Sequence, residues 1–141
     1  MIISKANAVW EGGLKDGRGV MHPAHAAEVP FSLGSRFEGQ PASNPEELIG
    51  AALAGCFSMA LSLGLEMAGV RPHSIQTSAR VVMEKQGDGF AITGIDLENR
   101  TVAPGIDDAR FQEIAEGTKK GCPVSKALAA VKINLKATLA G

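Results

Sequence analysis

The chain predicts an α+β fold in which antiparallel sheets wrap around a long, buried central helix. Three observations carry this expectation. Residues 48–65 contain no charged side chain. Two long strand-like runs flank a turn at Gln86-Gly87-Asp88-Gly89. The elements arrive as strands, helix, strands, helices, strand, not as the single alternation of a parallel βαβ sheet. A chain of 141 residues fits one domain, 1–141, long enough to bury a true core.

The segments 2–10 and 18–37 read as strands, broken by Gly12-Gly13 and Asp16-Gly17, and Gly39 to Ser43 reads as a loop. Asn44-Pro45-Glu46-Glu47 is a helix start. Asn44 can cap, Pro45 suits the first helical position, and Glu47 falls where a capping box places its acid. That helix runs to about Ala68 and stops at Gly69. Its apolar residues go all the way round, which calls for burial on every side. A sheet on one side and a partner subunit on the other would supply it, so a homodimer is expected.

Ser74 to Glu84 and Phe90 to Val102 then form a hairpin across the glycine turn. Asp107 or Asp108 opens an amphipathic helix with Phe111, Ile114 and Ala115 on one face, ending near Lys120-Gly121. A last helix begins around Cys122-Pro123. Val131 to Leu139 alternates as a final strand, with Val131, Ile133 and Leu135 on one face and Lys132, Asn134 and Lys136 on the other.

Charge narrows the functional classes. The net charge is -1, and no basic run is longer than Lys119-Lys120, so nucleic acid is not an expected partner. Leu48 to Leu65 falls short of the ~20 residues of a membrane span and is interrupted by Gly50, Gly55, Ser58, Ser62 and Gly64. A core helix is therefore expected, not a membrane segment. Met1-Ile2-Ile3-Ser4-Lys5 lacks the pattern of a secretory signal. The cytoplasm is the expected compartment, where a permanent structural disulfide is disfavoured.

The chain has two cysteines, and they occupy opposite environments. Cys122, with Pro123 after it and Lys119-Lys120 before it, stands at a helix N-terminus, where free N–H groups and positive charge favour thiolate. The plainer reading is a small residue at a helix cap. Cys56 lies inside the apolar helix, where burial raises a thiol's pKa and often makes it an inert core residue. To react it needs a cation from elsewhere, and Arg36, Arg18 and Arg71 are the candidates. A zinc site built from His22, His25, Cys56 and Cys122 lacks the close cysteine pair that structural zinc favours. His73 beside Pro72 reads as a loop residue. Asp107-Asp108 and Glu46-Glu47 are accounted for as helix N-terminal charge. Glu46 precedes Cys56 by ten residues, or ~15 Å along a helix; one site using both would combine subunits or a folded-over segment.

The segments Asn44-Pro45-Glu46-Glu47-Leu48-Ile49-Gly50-Ala51-Ala52, Cys56-Phe57-Ser58-Met59-Ala60-Leu61 and Gly121-Cys122-Pro123-Val124-Ser125 resemble the OsmC/Ohr family. These are the osmotically inducible protein C and organic hydroperoxide resistance proteins. Arg36-Phe37-Glu38-Gly39 and Trp10-Glu11-Gly12 resemble the OsmC branch. The likeness extends over nearly the whole chain, and two separated cysteine motifs in order make it specific. It implies an intertwined homodimer whose sheets wrap two central helices, with the site at the subunit interface. It implies a thiol-dependent peroxidase acting on organic hydroperoxides and less well on hydrogen peroxide, restored by a dithiol, for which the resemblance suggests the lipoyl type, and using no metal or bound organic cofactor. Cys56 matches the peroxidatic cysteine, Cys122 the resolving one and Glu46 the family glutamate. Arg36 is the expected arginine, with Arg18 its rival. A hot-dog-like thioesterase, working through a carboxylate, and a non-catalytic dimeric binding module are the competing readings.

Overall fold

The computed structural model describes all 141 residues. They fall into two compact units, Met1–Glu47 and Leu48–Gly141.

The first unit is a three-stranded antiparallel sheet of β1 (Ala6–Glu11), β2 (Arg18–Pro23) and β3 (Val29–Phe31), followed by a short helix α1 (Leu33–Phe37). The segment 18–37, expected as strand, is therefore divided. Pro23 offers no N–H to prolong the ladder, and Ser32 begins a helix. Ser32 and Ser35 exchange side-chain and backbone hydrogen bonds as a capping box. Trp10 and Phe31 pack with ring centroids 5.4 Å apart over Gly19, where an added Cβ would come within 2.7 Å of Phe31 and 2.8 Å of Trp10.

Helix α2 (Pro45–Met67) starts as the sequence predicts. Asn44 Oδ1 accepts from the Glu47 N–H at 2.8 Å. The Glu47 carboxylate accepts from the Ser43 hydroxyl at 2.6 Å, and not from the Asn44 backbone as in a full capping box. Gly69, at φ +82°, lies just past the end of the helix.

In the second unit, β4 (Ser74–Gln86), β5 (Gly89–Val102) and β6 (Lys132–Leu139) form a sheet in that order. Gly87, at φ +58°, makes the two-residue hairpin between β4 and β5. β6 runs parallel to β5, unlike the antiparallel arrangement expected throughout. The cause is the connection: α3 (Asp108–Gly121) and α4 (Pro123–Ala127) carry the chain back before β6 begins. Strand alternation puts Ala79, Leu97 and Leu135 in one inward row and Val81, Ile95 and Ile133 in the next. Leu53, Phe57, Leu61 and Leu65, one helical turn apart on α2, are fully buried in this core, together with Phe111 of α3. Gly50 faces Ala79 and Val81, and Gly64 faces Ile114, so small residues let α2 lie close to both sheet and helix.

The opposite face of α2 is not covered within the chain. Met59 is 78%, Leu63 59% and Met67 80% exposed. By length and composition α2 could cross a membrane.

Candidate active site

Arg36 and Glu46 come together in the first unit. Arg36 lies in the last turn of α1, and Glu46 in the first turn of α2. Arg36 Nε donates to Glu46 Oε1 at 3.1 Å and Oε2 at 3.2 Å, and Nη2 donates to Oε1 at 2.5 Å. The Glu46 side chain is 11% exposed and that of Arg36 37%. The carboxylate thus fixes one edge of the guanidinium, and Nη1 and part of Nη2 keep free N–H donors (hydrogen bonds that the Glu46 geometry does not use). The Arg36 Cζ lies 5.4 Å from the Phe37 ring centroid. Beside it, Trp10, Leu14, Phe31, Ser32, Leu33, Arg36 and Phe37 line a cleft of about 270 Å³. Arg18 is exposed and stands across the ladder from Glu11. Arg71 is exposed as well.

Cys56 and Cys122 come together in the second unit. Both are free thiols; Cys56 is half-buried and Cys122 buried. They lie close enough for each thiol to shift the acidity of the other. The meeting occurs inside a single chain; no second copy is required to bring the two sulfurs together. Cys122 closes α3, its N–H donating to Thr118 O at 3.0 Å, and is also the N-cap of α4 with Pro123 next. α2 brings Cys56 to it.

Their acidities diverge. Burial pushes the Cys56 thiol up, and the hydrogen bond to Cys122 raises it further, with the Val124 N–H opposing. Burial also works against a Cys122 thiolate. Cys56, first, and then the N–H groups of Ser125 and Val124 outweigh it, and Cys122 lies below the ordinary thiol value. These are the directions expected of an apolar helix interior and a helix start.

A second set of polar groups was not singled out from the sequence. The hydroxyls of Ser58, two residues after Cys56, and Thr77 are hydrogen-bonded at 2.8 Å. Asn99 donates to Thr77 Oγ1 at 3.0 Å and to Gln76 O at 3.2 Å, and accepts from Thr101 at 2.7 Å. Asn99 and Thr101 are buried. The chain of bonds ties α2 to the sheet beneath it. Its signal is present in the sequence: Asn99 and Thr101 continue the inward register of Ile95 and Leu97, where apolar residues belong.

A family model described as OsmC-like protein matches residues 37–136. The peroxiredoxin OsmC of Escherichia coli (strain K12) is 48% identical over 131 residues, covering 92% of each chain. The organic hydroperoxide resistance protein OhrB of Bacillus subtilis is 31% identical over 102 residues, covering 70% of this chain and 74% of that protein. The crystal structure of that OhrB superposes with a TM-score of 0.74 at 25% identity, over 95% of this chain and 98% of the other. An OsmC-like protein from Mycoplasma pneumoniae superposes with a TM-score of 0.79 over 99% of both chains, at 15% identity. With the fold, the paired thiols and these similarities in agreement, the chain belongs to the OsmC-like protein family.

Proposed function

We propose that the chain is a cysteine-based peroxidase that reduces organic hydroperoxides, and hydrogen peroxide less well, through Cys56 and Cys122. The observation that carries this reading is the meeting of two free thiols 122 − 56 = 66 residues apart in sequence. Relatives named peroxiredoxin and organic hydroperoxide resistance protein support it. The Cys56 thiolate attacks one peroxide oxygen; the O–O bond breaks, an alcohol leaves with a proton, and Cys56 becomes a sulfenic acid. Cys122 displaces its hydroxyl as water and a disulfide forms. A dithiol of the lipoyl type restores both thiols by exchange and is itself oxidised.

Arg36, oriented by Glu46, supplies the positive charge that the Cys56 thiolate needs and polarises the peroxide. Arg18 is the rival for that role. The apolar cleft beside Arg36 suits an alkyl-bearing substrate better than hydrogen peroxide. The working protein is a homodimer, with the exposed stripe of α2 covered by a second copy and the site completed at the subunit interface. It acts as a single OsmC-like domain, 1–141, in the cytoplasm, with no metal, bound organic cofactor, nucleic acid or membrane partner.

The test is hydroperoxide consumption with excess dithiol. Wild type turns over and Cys56→Ser falls to the uncatalysed rate. Cys122→Ser consumes about one equivalent and then advances to sulfinic and sulfonic acid, read by mass spectrometry. Full activity in Cys56→Ser would sink the proposal.

A further inference from the structure

Ser35 has two hydrogen-bonding tasks at the start of α1. It is 7% exposed. As the third residue of that helix it holds the place a capping box usually gives to glutamate or glutamine. Its Oγ accepts from the Ser32 N–H at 2.8 Å. An ionised carboxylate in that place would have no proton to give onward, because it only accepts. A hydroxyl has one, and Ser35 sends it out of its own helix, to Ser43 O at 2.7 Å. Ser32 O, at 3.2 Å, is the weaker claimant on the same proton.

Ser43 ends the loop that joins α1 to α2. Its hydroxyl donates to the Glu47 carboxylate at 2.6 Å, and its N–H donates to Pro30 O at 3.1 Å. The loop itself is not relaxed. Gly39 has φ +68° and Ala42 φ +152°, a region that alanine rarely adopts. Such a backbone persists only where its surroundings hold it. The Gln40 N–H donates to Gly34 O at 3.1 Å, and the Gln40 side chain lies over Gly34, leaving no room there for a Cβ. Ser35 adds a side-chain tie from α1 to the far end of the loop. The next residue, Arg36, reaches Glu46 in the first turn of α2. Two consecutive residues of α1 thus grip the chain on either side of the α2 start.

We propose that Ser35 is a positioning residue that pins α1 to the start of α2, so that the Arg36 guanidinium holds its forked geometry on Glu46 before any peroxide arrives. The proposal rests on the peroxidase reading, in which Arg36 polarises the peroxide, and names what aims that arginine. A partly exposed arginine loses rotamer freedom when held in one arrangement. Anchoring the backbone beneath both partners reduces the number of arrangements that remain to be given up.

The experiment uses the full chain with Ser35→Ala and Ser35→Thr, each alone and together with Arg36→Met. The first readout needs no activity. The Arg36 Nε–H is followed by nitrogen-15 NMR, and its exchange with water is measured. Ser35→Ala should speed that exchange about three- to tenfold, the worth of one lost neutral hydrogen bond. Ser35→Thr, which keeps the hydroxyl, should retain the wild-type rate. If the alanine variant does not fold, Ser35→Cys, close in size but a weak donor, takes its place in this measurement. The second readout is the first step with an alkyl hydroperoxide, in single turnover at neutral pH. Ser35→Ala should slow it by a similar factor when Arg36 is present and have no effect in the Arg36→Met background, where nothing remains to be aimed. A residue that merely supported the fold would slow both. Unchanged Nε–H exchange overturns the proposal, and so does equal slowing in the two backgrounds. If wild type consumes no hydroperoxide, or Arg36→Met matches it, the reading above falls, and the exchange measurement still decides whether Ser35 holds the Arg36–Glu46 pair.

Discussion

Arg36 makes three hydrogen bonds to one carboxylate, and that determines what its replacements should do. Lysine cannot reproduce a fork that grips both Glu46 oxygens and still presents free donors. In its own chain surroundings Cys56 is a thiol held above its ordinary pKa. At neutral pH it is protonated, so its reaction with peroxide rises as pH rises. A cation at close range lowers such a group by about 1–3 pKa units. Arg36→Met should therefore slow sulfenic acid formation about 10- to 1000-fold at neutral pH, with the rate recovering in alkali. Arg36→Lys should recover only part of the loss. The measurement is the pH profile of the first peroxide step under single-turnover conditions; an unchanged profile would transfer the role to Arg18 or remove it. Both cysteines, their opposite acidities and the acid-capped helix were legible from neighbouring residues. The Arg36–Glu46 pairing was legible only through family resemblance, because ten positions of loop and helix separate the partners. Ser125 was visible as part of a motif, but that its buried hydroxyl has no hydrogen-bond partner appears only in the folded chain.

At the scale of elements, α2 decides most. Its four fully buried positions face the sheet of its own chain, while Met59, Leu63 and Met67 project away, with Gly55 on the same face offering open space to a neighbour. An apolar stripe with a glycine in it fits close approach by a second helix, the occupant proposed above. Met59→Glu should then convert dimer to monomer in sedimentation at micromolar concentration while leaving helix content unchanged, since the substitution is at an exposed position with good helix propensity. A persistent dimer would place the interface elsewhere. The uncharged composition of α2 raised the expectation of two coverings, of which the chain itself supplies one. Periodicity did not foretell which face meets the sheet, because both faces are apolar. The first unit was read less well. Its alternation is interrupted by Pro23 and Pro30, and the reciprocal serines that start α1 are a cap lacking the usual acid. The direction of β6 was also missed; alternation reports which face a strand buries, but not which way it runs beside its neighbour.

For the whole molecule, Cys122 is a joint between two helices. It ends one helix and begins the next, with its amide committed to Thr118 and its carbonyl accepting from Lys126 at 3.0 Å. The backbone on both sides of the sulfur is thereby anchored before any oxidant arrives, and the facing sulfur of Cys56 is already near. Bond formation between them should need no melting of a segment and no search through loop conformers. The closing rate should accordingly be indifferent to solvent viscosity and to denaturant below the unfolding transition, as rapid-mixing measurements in glycerol and dilute urea can establish. A steep dependence on either would mean the joint must open first, making mechanical release, rather than sulfur chemistry, the slow event of the cycle.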